Sequence, residues 1–172
     1  MPSEPLWLEQ VHGIHVVEHP GPAALGAVQP RADAAVAFEP GRVCVVMTAD
    51  CLPVVFADRA GTRIGVAHAG WRGLVGGVLE ATVAALQADP AQLVAWLGPA
   101  IGPDAFEVGP EVRDAFIARD AANDAAFVRN VAGRFQADLY LLARRALARA
   151  GVQRVSGGGR CTLREAAEFF SF

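Results

Sequence analysis

Two reactive side chains stand seventeen residues apart in this sequence, Cys51 in T-A-D-C-L-P and His68 in A-H-A-G-W-R-G. Each lies at the end of a strand-like apolar run, and Asp58-Arg59-Ala60-Gly61 between them has turn character. An antiparallel hairpin would set thiol and imidazole side by side. Such a pair is either a nucleophile with its base or two metal ligands. The competing reading is a core cysteine and a histidine satisfied by local hydrogen bonds. His12, in Q-V-H-G, precedes Cys51 by thirty-nine residues. If its strand pairs near the hairpin, His12, Cys51 and His68 supply the three donors of a catalytic zinc site with one position open. The spacing alone is not a zinc-finger signature.

Other groups cluster around these three in the sequence. Asp50 adjoins Cys51 and is a candidate general base or a group orienting a histidine. Strand alternation alone would turn it to the opposite face, and a turn aspartate is the competing reading. Gly70-Trp71-Arg72-Gly73 leads into a helix, where free N–H groups and the Arg72 guanidinium suit phosphate or a carboxylate. Trp71 is either a stacking platform for a flat ring or a packing residue. Gln10, close to His12, joins Gly70, Trp71 and Arg72 as a candidate substrate-binding residue. His15 and His19 read as surface or loop histidines, Cys44 as core, and Cys161 as a loop thiol without an assigned role.

The elements that must position these residues follow from periodicity. Leu8–Glu18 reads as a strand broken at Gly13, followed by the Pro/Gly-rich connection H-P-G-P-A-A-L-G-A-V-Q-P and a short strand Asp33–Phe38. Arg42–Ala49 is a continuous apolar run and is expected to be a central buried strand. Leu52–Ala57 and Arg63–Ala69 continue the sheet, with Pro53 marking a bulge or an edge. Leu74–Ala88 has helical spacing, with Val75, Val78, Leu79, Thr82, Val83 and Leu86 on its buried face. Leu93–Leu97 is a buried strand leading into the rigid loop G-P-A-I-G-P. Pro110–Arg119 is a helix opened by proline, and 120–134 is part helix, part loop. Gln136–Ala150 is a second strong helix with Arg144, Arg145 and Arg149 toward solvent, capped by Gly151. Val152–Val155 is a short strand and S-G-G-G-R-C-T a flexible loop.

A chain of 172 residues, 53% hydrophobic and 19% charged, has enough material for one globular domain and is not disordered. The net charge of −3 without a Lys/Arg-rich run argues against nucleic acid as a partner. No signal peptide or membrane-length apolar run is evident. Three widely spaced cysteines favour reduced thiols and a cytoplasmic location.

The motifs L-E-Q-V-H-G, T-A-D-C-L-P-V, H-A-G-W-R-G, W-L-G-P-A-I-G-P with F-E-V-G-P-E-V, D-L-x-x-L-A-R, G-x-x-R-C-T and F-F-S resemble the laccase-domain family. That family is also described as multicopper polyphenol oxidase-like, purine nucleoside phosphorylase or peptidoglycan editing factor. The resemblance covers nearly the whole chain. It implies an α+β fold, with mixed β-sheets packed between helices, similar to the catalytic domain of cytotoxic necrotizing factor. It also implies a metal and catalytic site at His12, Cys51 and His68, holding zinc or, in older descriptions, copper. The activities implied are phosphorolysis of adenosine, inosine and methylthioadenosine, adenosine deamination, laccase-like oxidation and peptidoglycan-precursor editing. The family pattern also has a segment before Q-V-H-G, with S-T-R-x-G-G and N-L-G-x-H-V-G-D, and a tail with Y-R-R after F-F-S. Against that pattern the chain resembles the family's core with both ends trimmed.

Four histidines in all, three of them in one set, are too few for a multicopper laccase, although one copper would fit. The H-x-E pattern of zinc deaminases is missing, so deamination would need another proton carrier, with Asp50 first in line. Phosphorolysis needs an anion cradle, which the Arg72 turn offers. A purine nucleoside and phosphate are therefore the expected partners, with no nucleic acid and no membrane; the sequence leaves the oligomeric state open. A Cys51/His68 hydrolase and a metal-binding fragment without turnover are the other readings.

Overall fold

The computed structural model describes residues 4–20 and 29–172. The Pro/Gly-rich connection expected after His19 lies largely outside the described residues. The fold is α+β. Its main sheet has six strands in the order β1-β2-β4-β3-β5-β9, formed by β1 (Val16–Glu18), β2 (Ala34–Ala37), β3 (Leu52–Asp58), β4 (Ile64–Ala69), β5 (Leu93–Leu97) and β9 (Arg154–Gly157). The sheet is mixed, with β1–β2 and β5–β9 parallel and the other pairs antiparallel. A smaller antiparallel sheet joins β6 (Glu107–Val108), β7 (Phe127–Arg129) and β8 (Phe135–Ala137).

The β3–β4 hairpin forms as the sequence predicts, because the Asp58 carboxylate closes its turn. It accepts the N–H groups of Thr62 (2.7 Å) and Arg63 (3.0 Å) and the Thr62 hydroxyl (2.7 Å). Alternation on β3 buries Leu52, Val54 and Phe56 beneath the helices and leaves Val55 on the other face. Truncating fully buried Phe56 to alanine would cost about 3–5 kcal/mol. The opposite face is covered near β2 and β4, where Leu6, Leu8 and Ala32 pack on Ala35 and Val66. Pro53 is neither bulge nor edge. It pairs with His68 in the central strand β3 and its carbonyl accepts the Gly98 N–H at 2.9 Å. The proline nitrogen faces the same side, opposite Gly98 just beyond the first β3–β5 partners Val54 and Leu97, so the proline forgoes only the return bond at the end of that ladder.

Several expectations change. Residues 42–49 are not a central strand. They make one bridge, Cys44 to Leu6, and are half-buried as far as 46 and exposed at 47–49. Their apolar side chains pack on the Leu6–Leu8 cluster, so the hydrophobic run reports a neighbour and not a ladder. Leu8–Glu18 likewise reduces to a bridge at Glu9 and the short β1.

The helix expected from Leu74 starts earlier and breaks in two, α1 (Trp71–Gly76) and α2 (Val78–Ala85). Gly77 between them has φ 106, a left-handed conformation that ends α1 and restarts α2. Of the expected buried face, Val78, Leu79, Thr82, Val83 and Leu86 are in the core, whereas Val75 is half-buried against it.

Helix α3 (Pro110–Arg119) matches its expected bounds. Helix α4 (Leu139–Arg149) starts three residues late, because Gln136 and Ala137 belong to β8 and the Asp138 carboxylate caps Leu141 N–H at 2.9 Å. Its arginines are not free in solvent. Arg144 donates to the carbonyls of Val155 and Gly157, Arg145 to Asn123, and Arg149 to Asp120. The glycine-rich loop is held rather than loose. Gly158 N–H bonds Leu97 O at 2.8 Å, and the Tyr140 hydroxyl donates to Arg160 O at 2.7 Å while accepting Ala100 N–H at 2.8 Å.

Candidate metal centre

Three separate pieces of chain deliver the donors. His68 lies in β4 and is 3% exposed. Cys51 precedes β3, and because Leu52 pairs with Ala69, its position falls opposite Gly70. His12 sits before β1 in a left-handed conformation (φ 59), unusual for a residue with a Cβ. The structure brings all three together. Their ligand atoms lie within 4.8 Å of one another, Cys51 Sγ is 3.8 Å from His12 Nε2, and the imidazoles meet edge to face at 4.7 Å. A tetrahedral zinc with ordinary Zn–S and Zn–N bonds spans its sulfur and nitrogen by about 3.5 Å. The three residues therefore fit a single metal ion.

Asp33, fully buried at the head of β2, organises the centre. Its Oδ1 is 2.8 Å from His68 Nδ1 and accepts His12 N–H at 2.9 Å. Its Oδ2 accepts the N–H groups of Gly13 at 2.6 Å and Val11 at 3.2 Å. These bonds stabilise the left-handed His12 and commit His68 Nδ1 to carrying the proton, which leaves Nε2 as a lone-pair donor. Burial raises the carboxyl, but the bonds to His68 and to the three N–H groups outweigh it, and Asp33 stays below the ordinary carboxylate range. His68 is pushed down, by burial first and by the His12 charge, against the pull of Asp33. Burial, with Asp50 and Asp33 nearby, pushes the Cys51 thiol up. A cation would reverse that last effect.

Gly70 makes the convergence sterically possible. A Cβ there would stand 2.8 Å from Cys51 Sγ and 3.0 Å from His12 Cδ2. Gly73 performs a similar service, since its Cβ would meet Gly13 O at 2.9 Å. Arg72 is exposed and its guanidinium lies 4.6 Å from the centroid of the Trp71 ring. Trp71 is thus a platform for Arg72 as well as a half-buried packing residue. Helix α1 is only six residues long, so any anion site at this turn depends on Arg72 more than on the helix end.

Two other residues are placed differently from the centre. Gln10 spends its amide on Met47, accepting Met47 N–H at 2.7 Å and donating to Met47 O at 2.8 Å. The Asp50 carboxylate points to Thr162, Ser171 and Phe172. The orienting acid is Asp33, which sequence reasoning took only as the start of a strand. The available signal was a charged residue heading the otherwise apolar run A-A-V-A.

Among the remaining residues, His15 is exposed, whereas His19 is buried at 6% and not a surface group. Cys44 is half-buried, and burial lifts its thiol to about 11. Cys161 Sγ accepts Gly102 N–H at 3.2 Å. Among the described residues, no helix is long and apolar enough to cross a membrane.

Residues 1–172 match the family model described as multi-copper polyphenol oxidoreductase laccase. The chain is 55% identical over 172 residues to purine nucleoside phosphorylase YfiH of Escherichia coli, covering 100% of this chain and 69% of that protein. It is 55% identical over 169 residues to purine nucleoside phosphorylase PA4543 of Pseudomonas aeruginosa, covering 98% and 68%. Among solved structures, Neisseria meningitidis protein NMB0706 superposes with a TM-score of 0.93 at 49% identity, covering 98% of this chain and 69% of that chain. YlmD from Geobacillus stearothermophilus superposes with a TM-score of 0.84 at 28% identity, covering 97% and 67%.

Proposed function

This chain belongs to the multi-copper polyphenol oxidoreductase laccase family, and from that premise we propose that it is a metal-dependent purine nucleoside phosphorylase of the cytoplasm. Its substrates are phosphate with adenosine, inosine or methylthioadenosine, and adenosine deamination is a further activity. The observation that carries the reading is the convergence of His12, Cys51 and His68 around one ion-sized space, braced by Asp33. Support comes from relatives at 55% identity that bear the phosphorylase name.

Zinc is the preferred ion, with copper the other candidate, since imidazole and thiolate suit both. Held by these three side chains with a position open, it would supply Lewis acidity beside the sugar or base. His68 presents Nε2 because Asp33 holds Nδ1, and His12 is fixed by the same carboxylate through its backbone. Arg72, stacked on Trp71 and next to the Gly70 turn, is the group for the phosphate anion. A purine using the Trp71 face would have to share it with that guanidinium. Among the described residues, His12, Cys51 and His68 form a single cluster with metal-ligand spacing, which favours one ion over a multicopper oxidase.

The test is chromatography of adenosine incubated with metal-loaded protein, with and without phosphate, beside Cys51→Ala. Adenine that needs both phosphate and Cys51 supports phosphorolysis. Inosine formed without phosphate supports deamination. No product from folded, metal-loaded protein on any of the three nucleosides would overturn the reading.

A further inference from the structure

Asp50 stands directly before Cys51 with a left-handed backbone, φ 77. A residue with a Cβ keeps that conformation only where its surroundings over-determine it. Here three distant stretches do so. The Asp50 main-chain carbonyl accepts Ile101 N–H at 2.9 Å. Its Oδ1 accepts the Thr162 hydroxyl, 112 residues away in sequence, at 2.5 Å. Its Oδ2 accepts the Ser171 hydroxyl at 3.0 Å and Phe172 N–H at 2.9 Å. Thr162 is itself buried, and its N–H is tied to Ala100 O at 3.1 Å. The segment after it is folded back as a unit, with Arg160 paired to Glu165 and Glu168 and lying over the Phe169 ring. Among the described hydrogen bonds, those that join residues 160–172 to the 50–51 corner all end on the Asp50 carboxylate, next to the residue that bears the thiol.

We infer that Asp50 is a positioning residue, converting the docking of residues 160–172 into the placement of the Cys51 thiol against His12 and His68. This rests on reading those three residues as the metal and catalytic set. It differs from a role for Asp50 as a proton carrier, because a proton carrier needs a carboxylate open to substrate. Here both carboxylate oxygens are occupied, by Thr162 and by Ser171 with Phe172. It also assigns a part in the centre to Thr162 and Ser171, which touch none of its three donors in the described bonds.

The test uses the full chain and two readouts other than turnover. The first is cobalt(II) titration followed by the thiolate-to-cobalt charge-transfer band. The second is the iodoacetamide alkylation rate of Cys51 in metal-free protein, read by peptide mass. Asp50→Asn is expected to weaken cobalt binding about tenfold, the size usual for groups that orient metal ligands. Thr162→Val and Ser171→Ala leave the charge at position 50 untouched. They should still shift the band, the affinity and the alkylation rate in one direction, and should add nothing to Asp50→Asn. Thr162→Ser, which keeps the hydroxyl, should behave as the unsubstituted chain. Unchanged cobalt binding and alkylation in folded Thr162→Val and Ser171→Ala would overturn the inference. So would an Asp50→Asn protein that has lost turnover with cobalt affinity and band intact. If Thr162→Val does not fold, the exposed Ser171→Ala decides. Failure of the unsubstituted chain to bind cobalt would count against the metal reading alone, and the alkylation series would still decide this one.

Discussion

Asp33 holds His68 through Oδ1 and Nδ1 at 2.8 Å, and the same carboxylate gathers the N–H groups of Val11, His12 and Gly13. One buried acid thus fixes the tautomer of one imidazole and the backbone of the other. The arrangement explains why two histidines from different parts of the chain arrive in register without bonding to each other.

Replacing that acid should affect the centre and the fold separately. Asp33→Asn keeps the size but lacks the charge, and should lower metal affinity about 10–100-fold. Asp33→Ala leaves buried donors without acceptors, each costing about 1–3 kcal/mol. Isothermal titration with zinc and urea unfolding of both variants check this. Equal affinity in Asp33→Asn and the unsubstituted chain would show that Asp33 serves stability alone.

Gly70→Ala should do the opposite. Gly70 has φ −62 and ψ 160, which alanine adopts without strain. Alone, the change would stabilise the chain by about 0.4–1 kcal/mol through the unfolded state. The new Cβ, however, would press on Cys51 Sγ and His12 Cδ2. Metal affinity should fall at least about tenfold, as when a ligand's support is lost, with little loss of thermal stability. A variant that binds zinc normally would mean that the thiol and imidazole move aside freely.

What could be read from sequence divides along physical lines. The hairpin carrying Cys51 and His68 was readable because its turn, alternation and spacing are local. The meeting of His12 with that hairpin is not local, since it depends on Asp33, an acid that in one dimension looks like any strand-opening residue. Residues 42–49 misled because burial by Leu6 and Leu8 produces the same apolar composition as a central strand. The 74–88 periodicity continued across Gly77, so the break between α1 and α2 was hidden within a regular pattern. Asp50 and Thr162, 112 residues apart, had no local signature of contact at all.

Cys44 gives the chain an alkaline weakness. Burial lifts its thiol from an ordinary 9.0 to about 11. A group whose folded value is raised contributes fully below its unfolded value, and that contribution is lost as pH rises toward the folded one. Stability should therefore decline between pH 9 and about 11. Tyr140, also raised by burial, adds to the decline at the upper end. Cys44→Val should flatten the lower part of that decline in urea melts taken at successive pH values. An identical alkaline slope in the variant would transfer the effect to other groups.

Arg72 separates binding of phosphate from binding of metal. Its guanidinium is exposed, stacked on Trp71 and attached to the turn that also carries Gly70. Removing a charge-assisted contact to an anion costs about 1.5–3 kcal/mol, or roughly 10–150-fold in affinity. Arg72→Ala should raise KM for phosphate by that order, leave zinc affinity within about twofold, and leave the folded state intact, because exposed substitutions shift stability by about 0.5 kcal/mol or less. Arg72→Lys, a point charge without the planar fork, should recover part of the phosphate affinity while stacking less well on Trp71. Parallel loss of phosphate and zinc binding in Arg72→Ala would place the arginine in the support of the metal centre instead, and the phosphate site would have to be sought elsewhere.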